Sequence, residues 1–285
     1  MAARPRTLPA AVAPVLVGTS LAIHYGTFHP LAFIAALLGA LAIQIGTNLS
    51  NDYSDARRGA DTDERIGPVR VTAGGLVPPR QVLIATYLTF GAAVLCGIYL
   101  IAVAGWALLA VGAASILAGV LYTGGPRPYG YEGLGEVFVF LFFGIVAVTG
   151  SYFVQRRGLP WEAFVLAVPV GLLIAGILVV NNVRDIDTDR RAGKRTLAVR
   201  LGRERTRVLF AAIVAVAFVS SWVPWFAGAL SPWLLLTAAG TPLAYGVVQT
   251  VRTHTDGPSL NSALARTAKL ALLFCLLLCA GVLVS

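Results

Sequence analysis

Residues 161–189 read WEAFVLAVPVGLLIAGILVVNNVRDIDTD, an apolar run over about 161–182 that closes on Asn181-Asn182-Val183-Arg184-Asp185 and continues to Asp189. A helix that crosses a bilayer needs roughly 20 mostly apolar residues, and this run supplies them. Carboxamides and carboxylates at the end of such a run are costly unless they hold something. The same arrangement occurs upstream, where the apolar run 30–50 is followed by Asn51-Asp52-Tyr53-Ser54-Asp55 and then Asp61. The repetition suggests two halves of one site.

The surrounding chain agrees with a membrane reading. It has 285 residues, 57% of them hydrophobic and 12% charged, with a mean hydropathy of +0.78, far from the balance of a soluble domain. An all-α integral membrane protein is expected, with nine spans at about 9–25, 30–50, 81–102, 105–123, 134–154, 161–182, 207–226, 231–250 and 264–284. Apolar segments recur along the whole length, and no small-residue cleavage site follows the first, so that helix is expected to stay attached. The polar stretches at about 51–80 and 183–206 read as working loops.

With a cytoplasmic N-terminus, only Arg156 and Arg157 of the 22 Lys and Arg fall on the outer side. This bias favours N-in and places both acidic motifs at the cytoplasmic face. The net charge of +9 is partly this signal, and it also attracts anionic headgroups and substrates. The lipid bilayer is the expected surrounding partner; nucleic acid is not an expected one. Cys96, Cys275 and Cys279 all sit inside expected spans and read as packing residues. No chemistry is assigned to His24, His29 or His254.

If residues 45–55 extend the second helix into the interface, Asn48, Asp52 and Asp55 share a face, and Asn51 and Asp55 lie one turn apart. Gly59 lets the chain turn and return Asp61. In the second motif Asn181, Asp185 and Asp189 are spaced by four. Each helix end therefore presents a column of oxygen ligands. Stacked carboxylates repel one another unless a cation lies between them, and hard oxygen donors with positions left for phosphate are how Mg2+ is held. The expected metal set is Asn51, Asp55, Asp61, Asn181, Asp185 and Asp189, with Arg65, Arg70, Arg184, Lys194 and Arg195 completing the charge balance of a diphosphate. Solvated loop charges that neutralise one another account for Asp63, Glu64, Arg190, Arg191, Arg203 and Glu204. They do not account for two similar motifs at corresponding helix ends.

These segments, with Ala192-Gly193-Lys194-Arg195-Thr196-Leu197 after the second, resemble the two aspartate-rich signatures of the UbiA superfamily of intramembrane prenyltransferases. The resemblance covers nearly the whole chain. It implies a single domain over 1–285, with nine transmembrane helices in a ring around a central cavity and both signatures cytoplasmic. Arg4-Pro5-Arg6-Thr7-Leu8-Pro9, Tyr122-Thr123-Gly124-Gly125-Pro126 and Gly133-Leu134-Gly135-Glu136 are similar to the branch acting on 1,4-dihydroxy-2-naphthoate. Gly59 departs from an aspartate found in many relatives, so Asp61 is expected to take that role.

The implied reaction is Mg2+-dependent transfer of a polyprenyl group from polyprenyl diphosphate to 1,4-dihydroxy-2-naphthoate in the cell membrane. Carboxylate and diphosphate are lost and demethylmenaquinone is formed. Tyr122, Arg184 and Asp185 are the expected catalytic residues, with the Tyr122 phenol placed to bond the acceptor or take its proton. Phe138, Phe142 and Tyr152 are candidates to face the allylic cation, and Glu136 to cap the fifth helix. A different acceptor, 4-hydroxybenzoate, a tetrapyrrole or a glycerol phosphate lipid, is the alternative. A cation-coupled transporter fits less well, because its polar residues would spread through both leaflets.

Overall fold

The computed structural model describes residues 4–59 and 70–285, and every regular element in them is helical. Asp61 and Arg65 lie outside the described residues. Nine long helices follow one another among those described: α1 (Pro9–His24), α2 (Pro30–Arg57), α3 (Pro79–Ala104), α4 (Ala107–Leu121), α5 (Gly135–Arg156), α6 (Trp161–Arg191), α7 (Arg203–Phe226), α8 (Pro232–Thr253) and α9 (Gly257–Val284). Each span expected from the sequence falls on one of them. Seven are long and apolar enough to cross a membrane, whereas α1 and α4, with 16 and 15 residues, are apolar but shorter.

The helices α2 and α6 do not stop where their apolar runs stop. No proline or glycine intervenes before Gly59 and Gly193, whose positive φ angles of 64° and 73° end the helical path. The stretches at 51–80 and 183–206, expected as loops, therefore begin as helix, and both motifs ride on rigid helix ends. The supposed extension of the second helix through 45–55 is therefore present, and it has functional weight, because donors on a helix keep their spacing.

The core is built around α6, with Leu166, Val170, Leu173 and Val179 fully or almost fully buried against Val17 and Leu21 of α1, Phe210 of α7 and Phe274 and Leu278 of α9. By contrast, α3 leaves Leu88, Leu95 and Ile98 exposed, as expected of a surface solvated by lipid. Because lipid tails are as apolar as leucine, helices in a bilayer are held by close van der Waals contact, which small residues permit. One such close approach joins α5 and α6. A Cβ on Gly171 would stand 2.8 Å from the Phe140 carbonyl oxygen and 2.9 Å from Gly144 Cα. At this contact α5 runs as a π-helix over Phe140–Val146, a local widening often found near functional sites.

The chain start packs at the motif end of the bundle. Thr7 Oγ1 accepts hydrogen bonds from Gln44 Nε2 and Asn48 Nδ2, both at 3.0 Å. The C-terminal residue lies at the other end, where the Ser285 hydroxyl accepts from the Ser231 N–H at 3.2 Å.

Candidate active site

Asn51, Asp52 and Asp55 are all buried on the last turns of α2, but their side chains do different things. Asp52 faces the returning chain, its Oδ1 and Oδ2 accepting the backbone N–H groups of Thr72 at 2.9 Å and Val71 at 3.2 Å. It closes the excursion between α2 and α3, so it is spent on structure. Asp55 Oδ2 accepts from Arg70 Nη2 at 2.9 Å, and its Oδ1 accepts from the Tyr131 hydroxyl at 2.5 Å. Asn51 Oδ1 accepts from Thr123 Oγ1 at 2.8 Å. Arg58, just past α2, donates to the Gly125 carbonyl and fastens the glycine-rich turn over the same end.

The second motif is organised by Arg184, which is buried. Its Nε and Nη2 donate to the two carboxylate oxygens of Asp185 at 2.7 and 2.6 Å, Nη2 also to Asn181 Oδ1 at 2.8 Å, and Nη1 to Asn261 Oδ1 on α9 at 2.7 Å. The sequence reading placed Arg184 among the groups around a diphosphate; the structure shows it holding Asn181 and Asp185 in register. Asn182 turns the other way. Its Nδ2 donates to Glu136 Oε1 at 2.8 Å, so Glu136, expected only as a cap in the first turn of α5, also ties that helix to the motif. Its second oxygen, Oε2, is buried with no partner among the described residues.

The two motifs meet through aromatic residues of the segment between α4 and α5. Tyr131 bonds Asp55 through its hydroxyl, accepts the Arg195 N–H at its carbonyl at 2.8 Å, and lies with its ring 4.7 Å from Lys194 Nζ. The Lys194 N–H in turn closes on the Asp189 carbonyl at 2.9 Å. The Tyr122 carbonyl accepts the Gly130 N–H at 3.0 Å, so the end of α4 is fastened to the same segment. Tyr122 meets Tyr129 edge-on at 5.5 Å, Tyr129 stacks on Phe138 at 4.1 Å, and Phe138 stacks on Phe142 at 6.2 Å. An aromatic file thus runs from the site into α5. Tyr152, a sequence candidate for the same lining, is not part of it. It packs against Tyr25, close to Arg156 at the far end of α5, because it lies 14 residues beyond Phe138, almost four turns further along the bundle.

The donor set suits a hard cation. It is made of oxygen only, and the two carboxylates with defined partners are each met by a guanidinium, Arg70 on Asp55 and Arg184 on Asp185. Among the described residues no three His, Cys, Asp or Glu side chains form a metal site by themselves. Mg2+ takes one or two carboxylates and fills its remaining positions with water and substrate phosphates.

Sequence reasoning missed Tyr131, Thr123 and Asn261. Tyr131 and Thr123 had a signal, since they flank the glycine-rich turn already attached to Tyr122. Asn261 had none, because its partner lies 77 residues away.

Comparison with known proteins covers nearly the whole chain. The model of the UbiA prenyltransferase family matches residues 11–274. The chain is 44% identical to the 1,4-dihydroxy-2-naphthoate octaprenyltransferase of Mycobacterium tuberculosis, covering 99% of this chain and 94% of that protein. It is 39% identical to the Escherichia coli protein of the same name, over the same shares of the two chains. Among solved structures, the apo structure of a UbiA homolog from Aeropyrum pernix K1 superposes with a TM-score of 0.72 at 16% identity, covering 97% of both chains. A UbiA homolog from Archaeoglobus fulgidus bound to DMAPP and Mg2+ gives 0.61 at 14% identity, covering 96% of this chain and 98% of that one. These two show a shared fold. With its helices, its paired motifs and nearly all of its length accounted for in this way, the chain belongs to the UbiA prenyltransferase family.

Proposed function

We propose that this protein is a multi-pass membrane enzyme that transfers a polyprenyl group from polyprenyl diphosphate to 1,4-dihydroxy-2-naphthoate, with loss of diphosphate and of the acceptor carboxylate, giving demethylmenaquinone. The observation that carries the reading is the meeting of the two motifs on two helix ends, bridged by Tyr131. The names of its full-length relatives supply the acceptor. In this reading residues 1–285 form one domain whose nine helices all span the cell membrane in a ring around a cavity. The N-terminus and both motifs face the cytoplasm, supported by the distribution of Lys and Arg.

Asn51, Asp55 and Asp61 on one side, and Asn181, Asp185 and Asp189 on the other, are the residues that would hold Mg2+. Bound Mg2+ supplies charge neutralisation that makes diphosphate a better leaving group. Arg65, Arg70, Lys194 and Arg195 bind the diphosphate oxygens as they gain charge. Arg184 keeps Asn181 and Asp185 aligned. Tyr122 hydrogen-bonds the acceptor hydroxyl and orients the ring carbon for attack. The file Tyr129–Phe138–Phe142 lies along the path of the allylic cation and excludes water from it.

The test is turnover of the purified protein with 1,4-dihydroxy-2-naphthoate, a polyprenyl diphosphate and Mg2+, with and without chelator, and with 4-hydroxybenzoate in parallel. Prenylated naphthol is expected only with the naphthoate and only with metal. Product from 4-hydroxybenzoate alone overturns the acceptor, and turnover in excess chelator overturns the metal set.

A further inference from the structure

Arg156 and Arg157 close α5 at the end of the bundle away from the motifs, beside the start of α6 and roughly 36 Å along that helix from Asp185 at ~1.5 Å per residue. They are the two basic residues that the charge bias leaves on the outer side. A cleft of about 490 Å³ opens there between Thr27 and His29 of the α1–α2 turn, Val103 in the last turn of α3, and Gln155, Arg156 and Arg157. Its floor is fixed. Gln155 is 3% exposed, its Oε1 accepts the His29 N–H at 2.6 Å and its Nε2 donates to the His29 carbonyl at 3.3 Å.

Both guanidinium groups are pinned by backbone carbonyls. Arg156 donates through Nη1 to Tyr25 and lies 5.2 Å above that ring; Arg157 donates through Nε and Nη2 to Val103. Each keeps further N–H donors, since a guanidinium has five. Among the described residues neither forms an ion pair with a carboxylate. Glu162, buried at the start of α6, acts on Tyr25 instead: burial first and that carboxylate second hold the phenol above its ordinary range. Two adjacent fixed cations without acidic partners favour an anion.

The depth of the cleft says which anion. Phe28 and Trp106 in the turns and Trp161 at the start of α6, all exposed, sit at this same end, and aromatic residues so placed mark the headgroup level of a bilayer. Below Val103 the exposed Leu95 and Ile98 of α3 continue an apolar face toward the bilayer centre. We propose that this cleft binds the phosphate of an anionic phospholipid, with the free N–H groups of Arg156 and Arg157 on the phosphate oxygens and the acyl chains along α3. The site is independent of the prenyl transfer proposed above.

The test is binding of short-chain phosphatidylglycerol, phosphatidylcholine and inorganic phosphate to the detergent-purified protein, followed by tryptophan fluorescence and native mass spectrometry. The wild type is expected to prefer phosphatidylglycerol, whose headgroup keeps a net negative charge, over phosphatidylcholine, whose choline neutralises it, at least roughly tenfold, and Arg157→Gln to lose that preference. Because Arg157 also fastens α3, Val103→Glu serves as the second variant: it puts a carboxylate in the cleft and leaves the backbone carbonyl in place. It is expected to lose the preference at an unchanged melting temperature and unchanged turnover. Equal binding of the two lipids by the wild type, or a preference that survives in Val103→Glu, overturns the proposal. Inorganic phosphate that displaces phosphatidylglycerol at equal concentration assigns the cleft to a soluble anion and overturns the lipid.

Discussion

Asp55 and Asp185 carry the same charge in different settings, and the difference decides what a substitution does. Asp55 is held by Arg70 and by the Tyr131 hydroxyl, so Tyr131→Phe removes one hydrogen bond and leaves the ion pair. A bond to a charged group is worth about 1.5–3 kcal/mol, and if it aligns the carboxylate for metal, kcat should fall roughly 10- to 100-fold with little change in melting temperature. Unchanged kcat in that variant would show that Tyr131 is only a prop. Asp185→Ala is a harsher change. It strips the bidentate partner from the buried Arg184, and breaking a buried pair costs about 3–5 kcal/mol. Activity and thermal stability are expected to fall together, whereas Asp185→Asn keeps one acceptor for Arg184 and should lose turnover with a smaller loss of stability. A detergent melt of the two variants side by side separates these outcomes.

At the scale of the helix, the sequence was informative about where apolar runs lie and silent about how closely they meet. The runs and the spacing of Asn181, Asp185 and Asp189 are local properties, so the helices and the two columns were legible. The continuation of α2 and α6 through their polar ends was only half legible, because hydropathy marks the loss of apolar residues and not the end of a helix. The π-helical stretch and its contact with Gly171 depend on residues from two elements, which no single window contains. That contact yields its own prediction. Gly171→Ala places a methyl within 3 Å of Gly144 Cα and of the Phe140 carbonyl, forcing α5 from α6, and overpacking of this kind costs about 1–3 kcal/mol. Since Phe138 and Phe142 of the aromatic file flank Phe140 on α5, turnover should decline along with the melting temperature. Full stability in Gly171→Ala would mean that the helix pair yields without strain.

Across the whole molecule, charge asymmetry and bundle geometry make one joint statement. The chain start and both motifs lie at one end of the bundle, and the end carrying Arg156 and Arg157 is ringed by exposed tryptophan. Under the proposed orientation the first end meets the cytoplasm, where prenyl diphosphate and naphthoate reach it as anions drawn to a basic face. The opposite insertion would turn both motifs and nearly all the basic residues outward, against the bias that governs membrane insertion. Residues exposed at each end report which holds. Leu159 lies in the turn between α5 and α6, and Arg195 lies beside the second motif. The native Cys275 and Cys279 are buried and leave a low background once Cys96 is replaced by alanine. In intact cells a membrane-impermeant maleimide is expected to label Leu159→Cys and to spare Arg195→Cys until the membrane is opened. Labelling in the reverse order would place the aspartate motifs outside the cell and remove the route by which a cytoplasmic diphosphate reaches them.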